Sequence, residues 1–515
     1  MILVAVAVVG GCTDRKDAGP RPAPNASTTT STASATDNAT TTRSGTPTKG
    51  STATTEPVEP VEPVEPLAWS SCDESFECAT VDVPVDYARP GGASLELAVV
   101  RRPAEEPKRR IGALFMNPGG PGGSAIDLVE SIALPREITR RFDVIGFDPR
   151  GVGRSTPLDC RSHLQQIYDD DPTMEDRADR VTFLADSQAF VDECARKYRN
   201  LLPHLGSRDV ARDMDRIRAA LGDRQLDYLG FSYGTVIGQQ YAALFPERVR
   251  AMVLDGVVDL SVDGLESAQD QAAGFSAALD AFIASCGTGS ACGLDDPAGS
   301  VIDEVLAASE AEAIPARRTD RPATPGVINL ALAQALYSDA LWPELARALD
   351  QGRDGNGSGL VRLADDYLRR DADGSYPNGF EIYFAVTCLD QDFPRDPKRV
   401  MDVAKVVGAA YPRIGEGLVN DYVRCALWPA PSQPLEPVPA TTRGLPPTLV
   451  ISTTGDPATP YVSGARVAEQ IPHAVLVTNE GEGHTIFAQG KDCIDDAVTA
   501  YLIEEEVPGR GLVCS

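Results

Sequence analysis

Ser232 is the residue of this 515-residue chain whose surroundings most resemble those of a catalytic nucleophile. It is the centre of Gly-Phe-Ser-Tyr-Gly (230–234), which follows a short apolar run (226–229) and precedes a helix-like stretch. A strand, a tight turn and a helix push such a serine hydroxyl clear of the sheet, and Gly230 and Gly234 avoid clashes that a Cβ would create. The alternative interpretation is a glycine-softened helix start with Ser232 near its N-cap.

Two more residues would complete a set for nucleophilic catalysis. Asp456 follows the apolar run 447–452, and His484 follows the run 474–477. Ligands of open α/β sheets gather at the carboxyl ends of the strands, where all three residues are expected. The histidine would take the serine proton and pass it to a leaving amine, while the aspartate would fix the imidazole tautomer. Each alone has a plainer interpretation, a turn aspartate and an exposed histidine; the order Ser, Asp, His favours a triad.

The elements that must position these residues alternate between strands and helices. Apolar runs predict early strands at 95–101, 112–116, 142–147, 226–229 and 249–254. This alternation predicts a mostly parallel sheet with helices on both faces. Together with the turn at Ser232 and the order Ser, Asp, His, it indicates an α/β-hydrolase fold. The pattern stops at about residue 261, and Ala-, Leu- and Glu-rich stretches with helical spacing, such as 265–285 and 328–349, replace it. We therefore expect core segments at 67–260 and 431–515 and a helical cap at 261–430, inserted before the last two core strands.

The loop Asn117–Ser124 contains four glycines and directly follows a predicted strand. Backbone N–H groups in such a loop can point into a cleft and bind an anion. We expect the N–H groups of Gly120 and Tyr233 to form the oxyanion hole, with Gly119 as the alternative to Gly120. A loop that is simply mobile is the other interpretation.

The N-terminal region predicts export. Residues 1–12 read MILVAVAVVGGC and are similar to the signal peptide of bacterial lipoproteins, with Cys12 as the lipidated residue. Residues 13–66 are rich in Thr, Ser, Ala and Pro and end in Glu-Pro-Val repeats, a composition typical of a disordered stalk. We therefore expect an extracytoplasmic protein anchored to the cell membrane, or secreted. The alternatives are a disordered tail without a lipid, or a buried N-terminal strand with a free thiol.

Composition and cysteine content indicate which partners and which cellular compartment to expect. The formal net charge of −28 argues against nucleic acid as a partner, because phosphate binding needs basic patches. Ten cysteines besides Cys12 form an even set, which indicates disulfides in an oxidising compartment. The favoured pairs are Cys72–Cys78, Cys286–Cys292 and Cys493–Cys514, with Cys160–Cys194 and Cys388–Cys425 the preferred but open choice for the rest. Zinc-type spacing is absent, and we expect neither metal nor cofactor.

Five motifs together resemble a known family. They are the elbow Gly-Phe-Ser-Tyr-Gly-Thr, the glycine loop Asn-Pro-Gly-Gly-Pro-Gly, Asp-Pro-Arg-Gly-Val-Gly-Arg-Ser (148–155), Gly-Asp-Pro-Ala-Thr-Pro (455–460) and Gly-Glu-Gly-His-Thr (481–485). The sequence from about Cys72 to Cys514 is similar to the actinobacterial tripeptidyl aminopeptidase-like secreted α/β-hydrolases, relatives of the prolyl aminopeptidases. The resemblance implies a serine exopeptidase that acts on peptides with a free N-terminus. Pro118 stands where the prolyl enzymes carry histidine, so the resemblance does not extend to proline specificity.

An aminopeptidase must also bind the substrate ammonium, and a buried charge requires a partner of opposite sign. We expect Asp390 to supply it, because Asp390 and Asp392 follow Cys388, which a disulfide would hold still. The alternative is an acidic residue that only supports the fold. The same residues fit two other functions. One is a carboxylesterase with the same triad, and the other is a surface lipoprotein that binds peptides or cell-wall material through a vestigial site.

Overall fold

The computed structural model describes residues 65–174, 176–287, 292–294, 297–317, 319 and 321–515. The predicted signal peptide with Cys12 and almost all of the predicted stalk lie outside these residues. Within the described ranges, no helix is long and apolar enough to cross a bilayer.

One mixed sheet of ten strands organises the described chain. Its order is β1-β2-β3-β5-β4-β6-β7-β8-β9-β10. The strands are β1 (Ser70–Ser71), β2 (Glu77–Pro84), β3 (Ser94–Arg102), β4 (Gly112–Asn117), β5 (Phe142–Phe147), β6 (Leu226–Phe231), β7 (Val249–Asp255), β8 (Thr448–Gly455), β9 (Val475–Glu482) and β10 (Leu512–Cys514). In this order, every pair of neighbouring strands from β5 to β10 is parallel. Strands β1, β2 and β3 lie at one edge of the sheet, and each is antiparallel to its neighbours.

Helices occupy both faces of the sheet and a separate cap. The described residues contain α1 (Ala125–Ser131), α2 (Arg136–Arg141), α3 (Leu164–Asp169), α4 (Arg177–Tyr198), α5 (Ser207–Ala220), α6 (Gly234–Leu244), α7 (Gly264–Gly287), α8 (Ala298–Ala311), α9 (Pro325–Leu336), α10 (Trp342–Arg353), α11 (Ser358–Leu368), α12 (Gly379–Asp390), α13 (Pro397–Ala410), α14 (Gly415–Asn420), α15 (Val423–Leu427), α16 (Tyr461–Gln470) and α17 (Asp492–Glu504). Apolar residues of α5, α6 and α16 cover one face of the sheet, and those of α1, α2 and α17 cover the other. The predicted fold class is confirmed.

The central strands are easy to recognise in the sequence because both of their faces are buried. Every residue of β4, β5 and β6 is buried, so these strands are nearly continuous apolar runs. Strand β2 is absent from the sequence-based prediction. Its residues alternate between buried and exposed positions near the sheet edge, which gives a weaker signal in a short segment.

The cap differs from the prediction in two respects. The predicted helix at 328–349 is two helices, α9 and α10, because Pro343 in the first turn of α10 has no backbone N–H to donate. Helices α3 and α4, inside the predicted first core segment (67–260), pack with the cap rather than with the sheet. The Phe190 ring of α4 lies 5.4 Å from Phe380 of α12 and 6.1 Å from Trp428. The cap is therefore built from two segments of the chain.

The described chain contains five disulfides, and a buried ion pair joins the loop 148–155 to α5. The disulfides join the pairs favoured by the sequence: Cys72–Cys78, Cys160–Cys194, Cys286–Cys292, Cys388–Cys425 and Cys493–Cys514. The guanidinium of Arg150, wholly buried, donates two hydrogen bonds of 2.7 Å to the carboxylate of Asp213 on α5. The loop 148–155 therefore joins neighbouring segments of the chain.

Candidate active site

Ser232 lies at a strained turn between β6 and α6. Its φ of +53° falls in the left-handed region, which a non-glycine residue rarely adopts. The Ser232 N–H donates to the Asp255 carbonyl at 2.8 Å, which fixes the turn against the end of β7. A Cβ at Gly230 or Gly234 would lie 2.7 or 2.6 Å from backbone oxygens, so glycine is required at both positions. This is the backbone geometry of a nucleophile elbow rather than of a helix cap.

His484 and Asp456 form a buried pair at the carboxyl ends of β9 and β8. The His484 Nδ1 lies 2.9 Å from each carboxylate oxygen of Asp456. An ionised carboxylate only accepts, so Nδ1 carries the proton and Nε2 keeps its lone pair. Thr459 steadies the aspartate, because its N–H and hydroxyl donate to the two carboxylate oxygens at 2.9 and 3.0 Å. The imidazole is thereby held in the tautomer that a general base needs.

Asp255 connects the serine turn with the histidine loop. Its carbonyl accepts the Ser232 N–H, and its carboxylate accepts the N–H groups of Ile486 and Phe487 at 2.9 and 2.8 Å. Burial raises the pKa of Asp255 to about 6. A Cβ on the neighbouring Gly256 would come within 3.0 Å of the imidazole Cε1 of His484. One strand end therefore positions both the serine and the histidine.

Two polar atoms at this site lack a hydrogen-bond partner. Ser232 Oγ and His484 Nε2 are both buried, and neither makes a hydrogen bond to any residue that the structure describes. The cap covers them: the Tyr337 ring stands edge-on to the His484 ring, with centroids 5.3 Å apart, and the Tyr337 carbonyl accepts the His484 N–H at 3.0 Å.

The glycine loop lies against the serine turn. A Cβ on Gly119, whose φ is +88°, would lie 2.6 Å from the backbone nitrogen of Tyr233. The Gly119 N–H donates to Asn117 Oδ1 at 2.9 Å, so the structure argues against Gly119 as an oxyanion donor. Gly120 and Tyr233 both border a small cavity, and neither N–H donates a hydrogen bond within the described chain. Their arrangement fits the donor pair expected from the sequence.

Asp390 does not lie on an open acidic loop, and this corrects the expected substrate contact. It is the last residue of α12, only 3 % exposed. Its carboxylate accepts the Ser207 N–H at 3.0 Å, which caps the start of α5, and the Tyr233 hydroxyl at 3.1 Å. Burial raises the pKa of Asp390 to about 6. Its hydrogen bonds support the fold next to the serine turn, which was the alternative interpretation.

Two residues that help to position His484 and Asp456, namely Thr459 and Asp255, were not predicted from the sequence. Thr459 lies inside Gly-Asp-Pro-Ala-Thr-Pro (455–460), and Asp255 ends a predicted strand, so a search for polar residues at strand ends would find both. No group of three or more potential metal ligands occurs among the described residues.

The sheet order, the serine turn and the buried histidine–aspartate pair define an α/β-hydrolase. Residues 112–295 match the family model of the alpha/beta hydrolase fold, and residues 411–514 match that of the TAP-like proteins. The chain is 40% identical to the serine protease Hip1 of Mycobacterium tuberculosis over 85% of this chain and 87% of that protein. It is 39% identical to carboxylesterase B of the same organism, over 87% and 90% of the two chains. It is 31% identical to the tripeptidyl aminopeptidase of Streptomyces lividans, over 87% and 86%. The chain belongs to the TAP-like α/β-hydrolases and is a serine hydrolase.

Proposed function

We propose that this protein is a serine exopeptidase that hydrolyses peptide bonds near a free N-terminus, with Ser232, His484 and Asp456 as its catalytic triad. The observation that carries the proposal is the His484–Asp456 pair, at 2.9 Å, beside a serine held at positive φ. The family and the names of two relatives, a serine protease and a tripeptidyl aminopeptidase, support the peptidase assignment.

The reaction follows from the geometry in two halves. Ser232 Oγ attacks the scissile carbonyl carbon while His484 Nε2 takes its proton, and Asp456 stabilises the imidazolium. The N–H groups of Gly120 and Tyr233 donate to the oxyanion that forms. His484 then protonates the departing amine, and the peptide fragment stays on Ser232 as an ester. A water molecule, deprotonated by His484 Nε2, attacks that ester. The bond to Ser232 Oγ breaks, Oγ takes the proton back from His484, and the fragment leaves as a carboxylic acid that ionises in water.

The cap supports exopeptidase rather than endopeptidase action. Ser232 is wholly buried and His484 is 6 % exposed, beneath a cap that contributes Tyr337 to the site. The middle of a folded polypeptide would have to pass under this cap, whereas a chain end has only to enter the cavity. Substrate entry therefore favours short peptides and chain termini.

A carboxylesterase is the second candidate, supported by the 39% identity to a protein of that name. The same triad and oxyanion donors cleave esters, so the fold alone does not separate the two activities. Substrate preference separates the two activities. A panel should compare peptide anilides with a free amine, their N-acetylated forms, and short- and long-chain p-nitrophenyl esters.

We expect kcat/KM on free-amine peptides to exceed kcat/KM on the acetylated forms by at least tenfold. Ser232→Ala should abolish every activity in the panel. Hydrolysis restricted to esters would establish the second candidate instead. Binding of peptides without turnover of any substrate would favour the vestigial lipoprotein.

We also propose that the protein works outside the cytoplasm, held at the cell membrane by a lipid on Cys12. The sequence of residues 1–12 and the five disulfides of the described chain support this location. The partners expected at this location are extracytoplasmic peptides.

A further inference from the structure

The cap encloses a second cavity with aromatic walls, distinct from the small one beside Gly120. It holds about 90 Å³, and its walls include Phe183, Phe275, Tyr367 and Phe380. Aromatic rings supply large apolar contact area to peptide side chains and attract cations over their faces.

This aromatic cavity lies next to the catalytic region. Tyr337, whose ring contacts His484, lines it. Gln271, Tyr383 and Tyr422 line both this cavity and the small cavity bordered by Gly120 and Tyr233. The two cavities are therefore neighbours that share a wall.

One carboxylate in the wall lacks a partner. Asp170 lines the aromatic cavity, and its Oδ2 is buried without a hydrogen bond to any described residue. The nearby cation, Arg424, donates to Asp421 Oδ1 through Nη1 at 2.6 Å, and its guanidinium carbon lies 4.8 Å from the Phe183 ring centroid. Its Nε has no hydrogen-bond partner among the described residues and does not bind Asp170 Oδ2. A buried carboxylate oxygen in an apolar wall is costly unless a donor, here one supplied by the ligand, binds it.

The charged groups around Asp170 are mostly acidic. Asp169, Asp171 and Asp186 raise the pKa of Asp170 and Arg424 lowers it, while burial, the largest influence, raises it to about 6. At neutral pH the carboxylate is ionised, and acidic neighbours outnumber the single arginine. The cavity therefore favours a cation.

We propose that Asp170 binds the α-ammonium group of the substrate, with the aromatic walls enclosing the first residues of the peptide. This inference rests on the proposed function and names the residue that makes the enzyme specific for a free N-terminus. It assigns to Asp170 the role that the sequence suggested for Asp390.

The test compares Asp170→Asn with Asp186→Asn, a matched control that removes a neighbouring negative charge but no cavity-lining group. Both are assayed on one tripeptide anilide with a free amine and on its N-acetylated form. We expect Asp170→Asn to raise KM for the free-amine substrate by 10- to 100-fold, with little change for the acetylated one, and Asp186→Asn to change either by less than threefold. The wild-type preference for the free amine should also fall as pH decreases through about 6.

A binding measurement makes the result independent of turnover. Calorimetry should show a free tripeptide binding to Ser232→Ala at least tenfold more tightly than to Ser232→Ala/Asp170→Asn, with both variants melting within a few degrees of each other. If the wild type prefers free amines and Asp170→Asn keeps that preference, the anchor lies elsewhere and the proposed function stands. If the wild type shows no preference for free amines, the exopeptidase proposal and this inference both fail.

Discussion

The carboxylate of Asp390 accepts a hydrogen bond of 3.1 Å from the hydroxyl of Tyr233, the residue that follows the proposed nucleophile. The cap thereby holds the side chain of a residue whose backbone N–H faces the proposed oxyanion site. A second bond, from the Ser207 N–H, ties the same carboxylate to α5. Asp390 is thus a positioning residue that links cap and core.

Replacing Asp390 should therefore affect all substrates alike. Asp390→Ala leaves the Ser207 N–H and the Tyr233 hydroxyl without acceptors, at about 1–3 kcal/mol for each buried group. We expect a lower free energy of unfolding and an equal fall in kcat/KM for free-amine and acetylated peptides, with Asp390→Asn retaining most of both. A rise in KM confined to free-amine peptides would instead make Asp390 the ammonium anchor.

The buried Glu381 of α12 should make stability depend on pH. Burial raises its pKa to about 8, its Oε2 has no hydrogen-bond partner among the described residues, and Arg161 Nε approaches Oε1 only to 3.8 Å. Such a group destabilises the folded protein as pH rises from the group's pKa in the unfolded chain towards its raised pKa in the folded protein, because the unfolded chain then releases the proton more readily. The native protein should lose stability between about pH 4.5 and 8.

Glu381→Gln should remove that loss. It should melt several degrees above the wild type at pH 8.5, corresponding to about 2–5 kcal/mol for a shift of a few pKa units, and close to it at pH 4.5. The exposed Glu304 of α8 provides the control, since Glu304→Gln should follow the wild type throughout. Parallel melting profiles for Glu381→Gln and wild type would show that Glu381 is not a buried neutral acid.

The Cys388–Cys425 disulfide should contribute more to stability than the Cys72–Cys78 disulfide. The first joins α12 to α15 across 37 residues, and the second closes 6 residues at the sheet edge. Loop-closure entropy predicts losses of about 4 and about 2 kcal/mol when each pair is replaced by alanines. Equilibrium urea unfolding measures both, and equal losses would contradict the entropic account.

Cys12 provides the test of the proposed location. Cys12→Ser should release the protein from the membrane fraction into the medium, because the polar segment 13–66 offers no other means of attachment. Thr13→Ala is the matched control and should remain with the membrane. Continued membrane attachment of Cys12→Ser would exclude a lipid on this cysteine as the anchor.

The central strands and the turn at Ser232 could be predicted from the sequence, but β2 and the packing of the cap could not. The strands that precede Ser232 and Asp456 are largely buried parallel strands, and the strand that precedes His484 has a short apolar run. Both features are local. Asp390 shows the limit: its partner Ser207 is 183 residues away in the chain. Helical periodicity indicates that a face is buried but not which element covers it, so neither this contact nor the packing of α3 and α4 against the cap was predictable.

Ser232 as the nucleophile is the central claim, and covalent labelling tests it most directly. A fluorophosphonate probe should modify the wild type at Ser232, located by mass spectrometry of the tryptic peptide. Ser463→Ala, which alters a serine lining the small cavity, should label as the wild type does. Ser232→Ala should remain unlabelled and lose about 10⁶-fold in kcat. Labelling at another residue, or undiminished labelling of Ser232→Ala, would contradict the account.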